Sequence, residues 1–449
     1  MEVVSIRTPS LGDATYIAIH GSSAVIIDPQ RDIGRFTNVL DDRNLTLTHV
    51  LETHMHNDYI SGGRDLARSR DADLVLPAAS GAGFAFVPAF HHEELDASGG
   101  LVIRPLHTPG HTPEHTSYLL LVDGEEHAVF TGGSLLVGSA GRPDLLGFQY
   151  ADQLARLQFG SLQRLGELPD PTGVFPTHGE GSFCTASGAG RTTSTIGQEK
   201  AENPLYRIDD VDAFVENQLS ALVPYPRYYA HMGPANKQNP TAVHIEHPQE
   251  LSPIDVDSEI ANGAVVLDGR DRNAFAAGHI RGSLGIELND SFAPWAGWLL
   301  DYNVPLVLVL DDDQHAATAA TELARIGYVD VRGVLRGTDS WVESGRPLVG
   351  YENASHHDLI AAMRADNPPQ VLDVRDPLER AAGHIPGSHH RYLADLHEGL
   401  PKGIDPSAPV WIICASGSRA TIAAGLVEQH GAIPIVVASG GVAEVLAAA

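Results

Sequence analysis

The second half of the chain repeats itself, and a repeat constrains architecture before any single residue is interpreted. "VVLDGRDRNAFAAGHIRGS", Val265 to Ser283, returns as "QVLDVRDPLERAAGHIPGS", Gln370 to Ser388. Further on, "VPLVLVLDDDQHAATAATELARIGY" returns as "APVWIICASGSRATIAAGLVEQHGA". Each copy reads as an apolar strand, a turn and a short helix, then a second apolar strand feeding a longer helix. That is the pattern of a parallel α/β domain. Two such domains are expected, at 251–350 and 355–449.

The first 185 residues follow a different pattern. "SAVIID", "THVLETH" and "SYLLLVDG" are short apolar runs that end in loops rich in Gly, His, Asp and Pro. "ADQLARLQFGSLQRLGEL" carries Leu154, Leu157, Leu162 and Leu165 at helical spacing. A further α/β domain is expected over 1–185, followed by a turn-rich connecting segment, 186–250, packed on it. The net charge of −28 repels phosphate backbones and anionic lipid heads, which argues against nucleic acid or membrane partners. No apolar run approaches the roughly 18 residues needed to cross a bilayer. The start lacks a basic segment leading into an apolar one, so the cytoplasm is the expected compartment. Only Cys184 and Cys414 occur, too few for a disulfide framework.

Cys414 is placed differently from Cys184. In "WIICASGSRATIAAGL" it ends an apolar strand, and Ala415, Ser416, Gly417 and Ser418 form a tight loop that opens a helix. Backbone N–H groups of such a loop, with the helix N-terminus, favour a thiolate or persulfide anion, and Arg419 would complete the donors. A chain this acidic needs such a local basic patch to receive an anionic substrate. Cys184, in "GSFCTASG", lacks both the loop and the arginine and is read as structural.

These residues resemble the rhodanese family. The resemblance makes Cys414 the nucleophile that carries sulfane sulfur, Arg419 the loop arginine, and Asp373, Arg375 and His384 supporting residues. The other copy keeps Asp268, Arg270 and His279, but a gapless match sets Leu310 against Cys414 and His315 against Arg419. Leucine cannot attack sulfur, so that copy is expected to be an inactive rhodanese-like domain kept for packing or docking.

The first domain gathers metal-ligating types. "THMHNDYISGG" supplies His54, His56 and Asp58, "LHTPGHTPEHTSY" supplies His111, "FPTHGEGSFC" supplies His178, and Asp28 ends a strand where it could orient them. Imidazoles and a carboxylate at strand ends can converge on one cation, zinc or iron. The set resembles the metallo-β-lactamase superfamily and implies an αββα sandwich. Two positions depart from the family's motifs. Tyr59 stands where the last His of HxHxDH belongs, and Gly133, in "FTGGSLLVGSAGRPDL", stands where an Asp belongs.

Without the histidine at 59 a two-zinc hydrolase is not implied. The persulfide dioxygenase branch uses one iron held by two His and one Asp; His54 and His111 are retained and Gly133 is not. His56, Asp58, Tyr59, His178 or a water are the candidate replacements, while Asp144 belongs to the family's frame.

The domain order resembles persulfide dioxygenase–rhodanese fusion proteins. It implies a sulfurtransferase working through a Cys414 persulfide, joined to a dioxygenase-like domain with an altered site for one iron per chain rather than zinc. A low-molecular-weight thiol persulfide, thiosulfate or sulfite would be its partners, and a homo-oligomer is left open. The alternatives are a fully active iron persulfide dioxygenase and a non-catalytic persulfide sensor or sulfur-carrier scaffold.

Overall fold

The computed structural model describes residues 1–179, 182, 191–238 and 247–448. Cys184 therefore lies outside the described residues. The chain divides into two compact units, Met1–Ile245 with Ala324–Gly327, and Glu246–Leu323 with Tyr328–Ala449.

The first unit is built on two six-stranded sheets. One runs Glu2–Thr8, Asp13–His20, Ser23–Ile27, Thr46–Leu51, Asp73–Pro77, Val87–Ala89 in that spatial order. The other runs Ser194–Thr195, Gly173–Pro176, Glu125–Gly132, Thr116–Val122, Leu101–His107, Leu95–Asp96. Side chains alternate across a strand, and the alternation sorts them into layers. Tyr16 and Ala18 face Leu120 and Phe130 of the opposite sheet, in one inter-sheet core. Their neighbours Ile17 and Ile19 turn outward onto Phe36 and Leu66 of the helices Gly34–Asp42 and Gly63–Arg70. On the far face Leu119 and Leu121 meet Leu162 and Leu165 of the helix Phe148–Gly166.

The result is the expected αββα sandwich. Of the four leucines at helical spacing, Leu154, Leu162 and Leu165 are buried and Leu157 is exposed. The connecting segment contributes the edge strand Ser194–Thr195, which no periodicity announces because it is two residues long.

The second unit holds two wholly parallel sheets. Leu284–Gly285, Val265–Asp268, Leu306–Leu310 and Val331–Arg336 form one. Glu352–Ser355, Ile433–Ser439, Pro409–Ile413, Gln370–Asp373 and His389–His390 form the other. "LVLVL" is buried along its whole length, as a central parallel strand covered on both faces must be. Asp268 pairs with Val309 and Asp373 with Ile413. The same register in both copies puts Leu310 and Cys414 at equivalent points, one residue further on.

Candidate functional sites

Strand ends of both sheets in the first unit deliver the histidine cluster. His54, His56 and Asp58 follow Thr46–Leu51, His111 lies between Leu101–His107 and Thr116–Val122, and His178 follows Gly173–Pro176. All five are buried. The His54 ring centre lies 4.1 Å from that of His56, 4.9 Å from His111 and 5.3 Å from His178. The structure thus brings together every metal-ligand candidate that the sequence singled out.

Outer partners decide which nitrogen of each ring faces inward. His111 Nδ1 lies 2.8 Å from the Arg142 carbonyl, which can only accept, so Nδ1 carries the proton. His111 Nε2 is then a buried lone pair with no hydrogen-bond partner among the described residues. The Thr53 hydroxyl donates to Asp28 Oδ2 at 2.7 Å, so the His54 Nδ1 that lies 2.9 Å from the same hydroxyl must donate to it. His178 Nδ1 faces Asp13 Oδ1 at 2.8 Å and Asp58 Oδ2 at 3.2 Å. In all three rings the proton is held outside and Nε2 turns inward. Burial, reinforced by neighbouring imidazoles, holds His54 well below the usual histidine range and His111 down to about 3.

His56 is held from the other side. Its Nε2 lies 3.1 Å from Asp28 Oδ1 and 3.1 Å from Glu52 Oε2. Burial alone would lower its pKa, but the two carboxylates outweigh that and push it up to about 10. Tyr59 stacks on it with ring centres 4.3 Å apart, its hydroxyl 3.0 Å from the same Nε2. The residue at the family's missing histidine thus packs against His56. Asn236, in the helix Tyr229–Lys237, donates to the carbonyls of His56 at 2.9 Å and Tyr59 at 2.8 Å and fixes the loop from behind.

Gly133 is more than a deleted ligand. A Cβ placed there would stand 2.7 Å from His111 Cγ and Nε2 and closer still to Cδ2. Its N–H donates to His115 Nε2 at 3.1 Å. Asp144 is engaged by Arg142 through two bonds of 2.7 and 2.8 Å. His115, Asp13, Glu52 and Arg142 were not singled out in the sequence. The one signal was the second histidine of "HTPEH", four positions after His111.

Buried together, three inward lone pairs oppose one another electrostatically; a divalent cation removes that conflict, and imidazole is a natural ligand for it. The ligand atoms of His54, His111 and His178 all lie within 4.8 Å of one another. The residues present fit a transition-metal ion.

The second unit holds the thiol. Cys414 is buried, while Ala415, Ser416 and Ser418 of its loop are exposed. The Gly417 N–H points at Cys414 Sγ from 3.1 Å. Gly417 has φ +92°, and a Cβ there would lie 2.7 Å from the Ala438 carbonyl carbon, so the loop requires glycine. The helix Ser418–Gln429 starts at this point and adds its N-terminal dipole.

Arg419 stands within electrostatic reach of the Cys414 sulfur and is also held by Glu379, with Nη2 to Oε1 at 2.7 Å and Nη1 to Oε2. One sequence expectation needs correction here. His384 was expected to be a supporting residue, but it is exposed. The buried histidine is its repeat counterpart His279, whose Nδ1 donates to the Phe275 carbonyl at 2.8 Å. Asp373 and Arg375 pair with each other: Arg375 reaches Asp373 through Nε at 3.0 Å and Nη2 at 2.8 Å, and the Gly383 carbonyl at 2.7 Å, and Asp373 lies in register with Ile413, the residue before Cys414.

Comparison with known proteins divides the chain as the fold does. The model described as metallo-beta-lactamase superfamily matches residues 7–178, and that for the rhodanese-like domain matches 252–344 and 355–448. The structure of a metallo-beta-lactamase from Staphylococcus aureus is 29% identical, with 75% of this chain and 99% of that one covered, at a TM-score of 0.68. That of ETHE1 from Myxococcus xanthus is 32% identical, covering 54% and 100%, at a TM-score of 0.47. A hydroxyacylglutathione hydrolase-like protein of Homo sapiens is 34% identical over 146 residues, 32% of this chain and 48% of its own. The chain spans about half the length of the curated relatives it matches.

Proposed function

The chain is a metallo-beta-lactamase superfamily domain followed by two rhodanese-like domains, and from that premise we propose that it processes sulfane sulfur with Cys414 as the carrier. The observation that carries this reading is the Gly417 N–H aimed at a buried Sγ from 3.1 Å, at the start of a helix. Cys414, as thiolate, attacks the outer sulfur of thiosulfate or of a low-molecular-weight persulfide. The new bond is S–S; the donor's own S–S bond breaks, and sulfite or thiolate leaves with the bonding pair. A thiophilic acceptor then takes the outer sulfur, and Sγ departs as thiolate. The Gly417 N–H and the helix dipole stabilise the anion at both stages. Replacing Cys414 by Ser should abolish thiosulfate:cyanide sulfurtransferase activity; unchanged activity would refute the assignment.

The first domain is read as a metal-dependent partner that oxidises a thiol persulfide. A bound iron would supply the oxygen chemistry for that step. His54, His111 and His178 would hold it, and their burial keeps bulk water from the centre. Elemental analysis of untagged protein purified without oxygen tests this: near one iron per chain supports it, and negligible metal overturns it.

A further inference from the structure

We propose that the metal centre of the first domain is an all-imidazole site, His54, His111 and His178, and that Gly133 is what permits it. The inference rests on reading the first domain as metal-binding and does not depend on which reaction it runs.

Three observations converge. The ligand atoms of these histidines lie within 4.8 Å of one another, whereas the ring nitrogens of His56 group with Asp58 and His178, or with Asp28 and Glu52. The tautomers are fixed from outside by unrelated partners, the Arg142 carbonyl, the Thr53 hydroxyl and the Asp13 and Asp58 carboxylates. Finally, His54 Nε2 and His178 Nε2 stand 3.4 Å apart. Two nitrogens that each lie about 2.1 Å from one cation, at a tetrahedral angle, are separated by about 3.4 Å.

Gly133 then takes on a new meaning. With His111 in this pose, any side chain at 133 has its Cβ inside the imidazole. The lost carboxylate and the recruited third histidine are one change seen from two sides. The three ligand atoms carry no charge, so negative compensation arrives one bond further out. Asp13 and Asp58 accept from His178 Nδ1, the arrangement in which a carboxylate orients a metal-bound histidine.

The test uses the full chain, stripped of metal and titrated anaerobically with cobalt(II), followed by visible absorption. The wild type should bind one cobalt per chain. Paramagnetic proton NMR of that complex should show three exchangeable, strongly shifted imidazole N–H signals, one for each Nδ1–H; two or four would overturn the ligand set without any mutation. His178→Ala should weaken cobalt binding at least a hundredfold, with circular dichroism as the folding control. Gly133→Asp should weaken binding at least tenfold, whereas tighter binding would mean that a carboxylate was merely missing and would overturn the proposal. If the wild type takes up no cobalt, the metal-binding reading of the domain fails as well. If it binds cobalt but His178→Ala titrates like the wild type, only the three-histidine assignment fails.

Discussion

The two rhodanese-like copies share a frame and differ in one loop. In both, an arginine two residues after a strand-end aspartate grips it: Arg270 Nε and Arg375 Nε each lie 3.0 Å from the carboxylate. In both, Nη2 also reaches a helix-end carbonyl, that of Gly278 at 2.8 Å or of Gly383 at 2.7 Å. Beyond the next strand they part. One copy presents a buried thiol with an N–H aimed at it. The other presents a buried Leu310 followed by Asp311, Asp312 and Asp313, with Asp313 paired to Arg336 at 2.6 Å. The difference teaches that the frame is maintained by packing and hydrogen bonding, which both copies need, while the two copies part at the few residues of one loop.

The largest effect should come from the loop. Cys414→Ser should lower sulfurtransferase turnover by about a thousandfold or more, because no covalent route remains. Leu310→Cys added to that variant should restore none of it, since three aspartates follow the new thiol where the other copy has its Gly417 loop; recovered turnover in a cyanide assay would break the contrast between the loops.

Next comes the shared frame. Asp373→Ala and Asp268→Ala each leave a buried arginine without its counter-ion and should each cost about 3–5 kcal/mol of stability. Chemical denaturation should show comparable losses in both copies. A loss confined to the copy that carries Cys414 would mean that the pair serves that loop and not the frame.

The pair between Arg419 and Glu379 belongs only to the copy that carries Cys414. Burial raises the Glu379 pKa, but Arg419 outweighs it and holds the carboxyl down to about 2. A depressed folded pKa means that the pair's contribution is complete above the ordinary glutamate range, near 4.5, and is lost as pH falls from there toward about 2. The melting-temperature gap between wild type and Glu379→Gln should therefore be constant at pH values above the ordinary glutamate range, about 4.5, and close on further acidification. A gap that opened on acidification would carry the wrong sign.

The smallest effect separates the two repeat histidines. His279 is fully buried, with its Nε2 3.2 Å from Glu428 Oε2. His279→Ala should cost about 1–3 kcal/mol, as for other buried groups whose partners lose a hydrogen bond. The exposed His384 should tolerate alanine within about 0.5 kcal/mol. Thermal unfolding of the two variants side by side checks the ranking.

Much of this was legible in the sequence, for physical reasons. A repeat of strand, turn and helix can be read because apolar periodicity is local, and the loop after "WIIC" because glycine and a helix start are local too. His54, His56 and Asp58 could be grouped because they share one loop. What could not be read was orientation. The nitrogen that His111 turns inward is decided by a carbonyl 31 residues away, and that of His178 by an aspartate 165 residues away. For the same reason Gly133 reads as a deletion in one dimension and as room for an imidazole in three. The ion-pair partner of Arg419 could not be read either, because Glu379 lies 40 residues upstream.

The most direct measurement is intact-protein and peptide mass spectrometry of the full chain after incubation with thiosulfate. The expected result is the mass of one added sulfur atom, located on Cys414 and removed by cyanide. Turnover with no sulfur on Cys414, or with the added sulfur only on Cys184, would contradict the assignment of Cys414 as the carrier.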